Sequence, residues 1–269
     1  MTARLRLRRL LDDDLPAGGL FLSLPCPGII EIAAVAGFDF VLIDLEHTLI
    51  GGRELEELIA AADRAGLSAL VRVAEARSER ILPVLDAGAA GVVVSRVSSV
   101  DDAQEAIRRA RYAPLGQRGL NAGRLGRFGD CDLAALLQQL NRETIVIALI
   151  EDQEGIAAAE AIASLPGIDG LLLGAADYSQ SVGVPWQTTA EPVQEATRRL
   201  AGIARRTNRY LFAIPRRAED MADHIRDGAL GIVAANDRGL LRQALSAENR
   251  LWRGVYQAEN PRRPIEATE

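Results

Sequence analysis

Five side chains suited to acid–base and electrophilic chemistry stand at the ends of short apolar runs in this 269-residue sequence. Asp44 and His47 lie three residues apart in Ile43-Asp44-Leu45-Glu46-His47. A carboxylate that accepts an imidazole N–H fixes its tautomer and raises its basicity, so the pair reads as a general base with its orienting acid. Arg72 follows an otherwise apolar run, where a guanidinium needs anionic partners. It either binds a substrate anion or forms a structural ion pair with Asp44 or Glu46. Glu151 and Asp177 suit a shared hard divalent cation, Mg²⁺ or Mn²⁺, with waters or substrate oxygens completing the shell. Gly174-Ala175-Ala176-Asp177 is built of small residues. Backbone N–H groups at Ala175, Ala176 and Asp177 can therefore approach a substrate carboxylate.

A second cluster is the stretch from Arg118 to Gly129, in which Arg118, Arg124 and Arg127 alternate with glycines and Asn121. Guanidinium forks match carboxylates in two-point contact, so these four residues are candidate ligands for a small polycarboxylate. Nucleic acid is the other partner that Arg/Gly mixtures suit. A net charge of −6 argues against it. All 31 basic residues are arginine, and lysine is absent. An arginine cannot act as an amine nucleophile, which excludes a Schiff-base lysine of this chain, a pyridoxal-phosphate anchor and a P-loop lysine. His224, the second histidine, reads as a solvated residue in mid-helix.

The elements that must position these groups follow from the hydrophobic pattern. Eight continuous apolar runs cover residues 21–24, 40–46, 69–73, 91–97, 144–150, 170–174, 210–214 and 231–235. Continuous rather than alternating runs mark strands buried on both faces. Helix-period segments predict helices over 54–65, 78–87, 99–111, 154–165, 192–206, 218–227 and 237–256. Eight strand–helix units without a linker predict an α/β fold, a single-domain (β/α)₈ TIM barrel. The rival doubly wound sheet lacks its Gly-rich fingerprint here. The boundaries read as an N-terminal extension over 1–17, the barrel over 18–258 and a polar tail over 259–269. In a barrel the active site lies at the carboxyl ends of the strands, which is where the five side chains fall. Residues 112–130 form the one long irregular connection, of a length usually tied to function. Cys26 and Cys131 are too few for a disulfide framework and read as free thiols. No run approaches a membrane span, and the reading is a cytoplasmic protein.

Several segments together resemble the HpcH/HpaI aldolase family. They are Gly37-Phe38-Asp39-Phe40-Val41-Leu42-Ile43-Asp44-Leu45-Glu46-His47, Leu85-Asp86-Ala87-Gly88-Ala89-Ala90-Gly91, Pro114-Leu115-Gly116-Gln117-Arg118-Gly119, Ile150-Glu151 and the stretch from Ala176 to Gly183. The resemblance covers residues 18–245. It implies a barrel whose last helix is exchanged between subunits, commonly in hexamers, and divalent-metal chemistry on pyruvate-like 2-oxo acids. Glu151 and Asp177 match its metal ligands, and His47 with Asp44 its base. Arg72 matches the residue at the 2-oxo oxygen. The backbone at Ala176 and Asp177 matches its carboxylate site. Two departures stand out. The segment after the fourth strand reads Ser95-Arg96 where many members carry a proline, and Asn121-Ala122 replaces a typical serine. The run from Leu120 to Gly129 is similar to the siderophore-pathway citrate synthases of staphyloferrin B-type clusters. That branch implies citrate formation from oxaloacetate and acetyl-CoA. The alternative is cleavage of a 4-hydroxy-2-oxo acid to pyruvate and an aldehyde. A non-enzymatic sensor of a 2-oxo acid is a third reading, disfavoured by the joint presence of all five polar groups.

Overall fold

In the computed structural model, which describes residues 3–260, a 3₁₀ turn (Ala3–Leu5) leads into α1 (Arg6–Asp12). Strands and helices then alternate. The first half runs β1 (Ala17–Leu22), α2 (Pro27–Val35), β2 (Phe40–Asp44), α3 (Gly52–Ala65), β3 (Ser68–Val73), α4 (Ile81–Asp86), β4 (Gly91–Val94), α5 (Val100–Ala110) and α6 (Leu133–Glu143). The second half runs β5 (Ile145–Ile150), α7 (Gln153–Ser164), β6 (Gly170–Leu173), α8 (Ala175–Ser181), α9 (Glu191–Thr207), β7 (Tyr210–Ala213), α10 (Ala218–Arg226), β8 (Ala229–Asn236) and α11 (Asp237–Glu259). The eight strands are parallel and β8 closes on β1, so the sheet is the expected barrel.

The two-residue period of each strand sorts its side chains between two cores. Phe40, Leu42, Leu70, Val93, Ile147, Leu149, Leu172, Phe212 and Val233 fill the interior. Val41, Ile43, Val71, Val92 and Val146 point outward under the helices. Phe40 and Phe212 meet edge to face with centroids 6.3 Å apart. Two glycines make room for them. A Cβ on Gly19 would lie 2.2 Å from the Phe40 ring, and one on Gly231 would lie 2.1 Å from that of Phe212.

The N-terminal segment is part of this interior. Leu7 and Leu11 of α1 are fully buried in the same cluster as Phe40, so α1 closes the floor of the barrel. The amide of Leu7 donates to Ser68 Oγ at 3.0 Å, tying the plug to the start of β3. The same period, carried toward the other end, fixes what reaches the mouth. From Phe40 and Leu42 the inward row continues to Asp44. From Leu70 it continues to Arg72, from Val93 to Ser95, and from Ile147 and Leu149 to Glu151. The ladder places Asp44 opposite Arg72.

Three helices went unpredicted. α2 is apolar nearly all round, with Ile29, Ile30, Ile32 and Val35, so it lacks a polar face to set a 3.6 period. α6 opens on Asp132, whose side chain accepts from the Ala135 amide, an N-cap signal that the long irregular stretch before it masked. α8 opens on Ala175 and Ala176, read from sequence only as small residues that let backbone N–H groups approach a carboxylate, and at seven residues it is too short to set a period. The tail expected over 259–269 lies, past Asn260, outside the described residues.

Candidate active site

Arg72 is the hub of the mouth. It is nearly buried, and its Nε donates to Asp44 Oδ1 at 2.9 Å. Its Nη1 lies 3.0 Å from Glu46 Oε2. Its guanidinium carbon sits 5.0 Å from the centre of the Phe21 ring, which limits its hydration. The structural ion pair considered for Arg72 is therefore present, and with both carboxylates.

Asp44 does a different job from the one expected. Its Oδ1 accepts from the amides of Glu46 at 3.0 Å and His47 at 3.4 Å as well as from Arg72. It therefore shapes the turn after β2 and aims the guanidinium. The expected bond from the His47 imidazole to Asp44 is not made: Asp44 Oδ1 holds the turn after β2 instead, and the His47 side chain is exposed to solvent. The His47 ring is exposed above the mouth, and among the described residues it has no hydrogen-bond partner.

Glu151 ends the inward row of β5 and is buried. The amide of Arg96 donates to its Oε2 at 3.0 Å. Burial, reinforced by the negative charges of Glu46 and Asp177, pushes its carboxyl up to about 7. Gly174 is required beside it, since a Cβ there would lie 2.5 Å from Glu151 Oε1. Asp177 stands in the first turn of α8, and the amides of Ala175, Ala176 and Asp177 open that helix.

Two carboxylates flanking an excess of buried negative charge fit a hard divalent cation, which tolerates few protein ligands and retains waters. Among the described residues no group of three or more His, Cys, Asp or Glu is arranged to hold a metal unaided. Glu151 and Asp177 would thus be joined by waters or substrate.

The arginine loop is not at the mouth, which corrects the expected polycarboxylate pocket. Arg118 is buried against Asp86 at 2.7 Å and stacks over Tyr112 at 4.7 Å. Asn121 donates to the same Asp86 at 3.0 Å. Arg124 pairs with Asp63 at 2.8 Å and Arg127 with Asp130 at 3.0 Å. Asp63 and Asp86 lie at the C-terminal ends of α3 and α4, toward the barrel floor. Local carboxylates thus already neutralise the loop. His224 is half-buried rather than solvated, and burial lowers its pKa despite Asp220, Asp227 and Asp223 nearby.

The mouth also holds residues not singled out from sequence as part of the site. Ser95 Oγ donates to Glu46 Oε2 at 2.7 Å. Arg96 adopts a left-handed backbone with φ of 55°. The signal for both was Ser95-Arg96 itself, two polar residues interrupting an apolar strand end.

A family model described as HpcH/HpaI aldolase/citrate lyase matches residues 18–244. A 4-hydroxy-2-oxovalerate aldolase of Novosphingobium aromaticivorans is 38% identical over 169 residues, which is 62% of this chain and 63% of the relative. The chain thus spans just under two thirds of that relative's length. The crystal structure of citrate synthase SbnG is similar with a TM-score of 0.87 and 34% identity, covering 94% of this chain and 99% of that one. An HpcH/HpaI aldolase from Desulfitobacterium hafniense is similar with a TM-score of 0.88 and 27% identity, covering 93% and 97%.

Proposed function

The chain belongs to the HpcH/HpaI aldolase/citrate lyase family, a family of carbon–carbon bond enzymes, and from that premise we propose that it joins oxaloacetate to acetyl-CoA to make citrate. The observation that carries the reading is Arg72, fixed between Asp44 and Glu46 and close enough to Glu151 for its charge to be felt by that carboxyl. The likeness to citrate synthase SbnG over nearly its whole length supports citrate as the product. The supply of that citrate to a siderophore pathway is the accompanying biological reading, resting on the resemblance of the run from Leu120 to Gly129.

In this scheme the 2-oxo acid lies over the mouth with its carbonyl oxygen toward Arg72. The first-turn amides at Ala175, Ala176 and Asp177 receive its C1 carboxylate. Glu151 and Asp177 would hold a Mg²⁺ or Mn²⁺ ion, which when bound supplies Lewis-acid polarisation of the 2-oxo acid. Arg72 places a permanent positive charge where the carbonyl oxygen becomes anionic. Such a donor contributes roughly 3–4 kcal/mol of transition-state stabilisation. Asp44 and Glu46 keep the guanidinium from swinging away, so it needs no reorganisation as charge develops. His47, exposed in the turn after β2, would remove the methyl proton of acetyl-CoA. General-base help of this kind is worth ~10²–10⁴-fold.

A second reading has its own support in the 4-hydroxy-2-oxovalerate aldolase relative. There the same seat would stabilise a pyruvate enolate formed by cleavage of a 4-hydroxy-2-oxo acid. Product assays on the purified protein separate the two, citrate from oxaloacetate and acetyl-CoA against pyruvate from hydroxy-oxo acids.

The assembly reading is a homo-oligomer, a hexamer with the last helix exchanged between subunits. Its support is α11, on which Leu241, Leu245, Leu251, Trp252 and Val255 are all exposed. In 23 residues the helix buries only Asp237. An apolar face of this length on a lone chain calls for cover.

A further inference from the structure

We propose that Arg96 binds the substrate carboxylate remote from the 2-oxo group, and so selects dicarboxylic over monocarboxylic 2-oxo acids. This rests on the reading of the mouth as a 2-oxo acid seat. Arg96 lies two residues past the end of β4, on the rim of that seat. Its backbone is held in the left-handed region, φ 55°, which disfavours any residue with a Cβ. Strain of this kind gathers at functional positions. Its amide is committed to Glu151, so the backbone there is part of the site.

The side chain is not committed. Its Nε lies 3.6 Å from Glu46 Oε1, beyond hydrogen-bonding distance, and it is 69% exposed. Glu46 makes its short contacts through the other oxygen, to Arg72 and Ser95. At 3.6 Å, with the guanidinium itself largely in solvent, this contact holds Arg96 only loosely and leaves it able to turn to an incoming anion. Arg72 and Arg96 thus stand on the two oxygens of one carboxylate, 3.0 Å from Glu46 Oε2 and 3.6 Å from Oε1, which makes them neighbours on the rim. Two neighbouring guanidinium groups can divide a short 2-oxo dicarboxylate between them, the carbonyl oxygen at Arg72 and the far carboxylate at Arg96. A guanidinium offers that carboxylate a two-point contact. The arginines expected from sequence to do this, Arg124 and Arg127, are held elsewhere by Asp63 and Asp130.

A cation on the far carboxylate also restrains its loss. In decarboxylation of oxaloacetate the C3–C4 bond breaks, its electron pair passes into the carbonyl to give an enolate, CO₂ leaves, and the enolate takes a proton. Negative charge leaves the carboxylate in that step, so a cation there stabilises the ground state more than the transition state.

The test compares wild type with Arg96→Gly, which accepts the left-handed backbone and keeps the amide bond to Glu151 while deleting the guanidinium. Oxaloacetate decarboxylation is followed for KM and kcat, and exchange of pyruvate methyl protons in D₂O is followed by NMR. Inhibition by oxalate, which fills the seat without reaching Arg96, reports whether the seat is intact. The expected result is a KM for oxaloacetate raised at least tenfold with kcat not lowered. The oxaloacetate-to-pyruvate ratio of kcat/KM should fall at least tenfold while the oxalate inhibition constant stays within threefold. An oxaloacetate KM within threefold of wild type, with oxalate still binding, overturns the assignment of Arg96. Where wild type holds oxaloacetate intact, its calorimetric Kd takes the place of KM; wild-type protein that binds neither oxaloacetate nor oxalate overturns the 2-oxo acid reading beneath it.

Discussion

Arg72 and Asp44 face each other across the β2–β3 ladder, Nε to Oδ1 at 2.9 Å, one step above the last apolar layer of the barrel interior. The pairing places a permanent cation at the mouth and fixes its direction. It is buried, so its two halves depend on one another. Glu46 still pairs with Arg72 when Asp44 is removed, so the loss is that of the charged acceptor for Arg72 Nε and the Glu46 amide, about 1.5–3 kcal/mol. Asp44→Ala is expected to lower stability by that order and to abolish activity. Urea unfolding checks the first part, since a loss under 1 kcal/mol contradicts the dependence. Arg72→Lys is expected to fold yet to lose at least a hundredfold in kcat/KM, because an ammonium cannot serve both carboxylates and still present a further nitrogen.

The close approach of Gly174 to Glu151 gives a cleaner probe of the ion-binding proposal. Its backbone φ of −80° suits any residue. Gly174→Ala should therefore fold, while its methyl displaces the Glu151 carboxylate. Mn²⁺ affinity, measured by titration calorimetry, is expected to weaken at least tenfold. Unchanged affinity would argue that the ion, if bound, sits away from Glu151.

Glu151 sets a pH dependence in the metal-free protein. Its folded carboxyl titrates at about 7, above the ordinary value of 4.5. The folded state therefore holds a proton that the unfolded state has released. The resulting stability is fully present below pH 4.5 and is lost as pH rises through about 7. Metal binding must expel that proton, so below pH 7 Mn²⁺ affinity is expected to rise up to about tenfold per pH unit. Thermal shifts with and without Mn²⁺ at pH 6 and pH 8 read this directly. A larger shift at pH 6 contradicts it, and Glu151→Gln should flatten the metal-free profile.

At the opposite end, α1 is a structural plug. Leu7→Ala or Leu11→Ala is expected to cost ~2–5 kcal/mol through the cavity it leaves, with KM unchanged. Denaturant unfolding and steady-state kinetics together check this. A changed KM with unaltered stability would point to a role of the floor in the chemistry.

The barrel and the inward placement of Asp44, Arg72 and Glu151 were legible in the sequence because both rest on short-range periodicity. A strand buried on both faces must be apolar until it ends, so its first polar residues mark the mouth. What periodicity does not contain is which partner a side chain takes. Asp44 turned from His47 to Arg72 because the turn after β2 uses the same carboxylate oxygen. Arg118, Asn121 and Arg124 looked like part of an anion pocket because the carboxylates that hold them, Asp86 and Asp63, are distant in sequence; Arg127 pairs with Asp130 only three residues on. Ser95-Arg96 was visible as a polar interruption of the strand end, but its part in the site was not, because a φ of 55° is a backbone property that leaves no mark in residue type.

The exposed face of α11 makes the assembly testable. Leu245→Glu with Trp252→Glu is expected to convert an oligomer to a smaller species in sedimentation velocity. An unaltered sedimentation coefficient would mean that this face is not what subunits bury.

The most direct measurement is product identity. Purified protein, loaded with Mg²⁺ or Mn²⁺, is incubated with oxaloacetate and acetyl-CoA labelled with ¹³C in its acetyl group. Labelled citrate, with one free CoA thiol released per citrate, is the predicted result. Pyruvate released from 4-hydroxy-2-oxo acids, with no labelled citrate formed, would contradict the account.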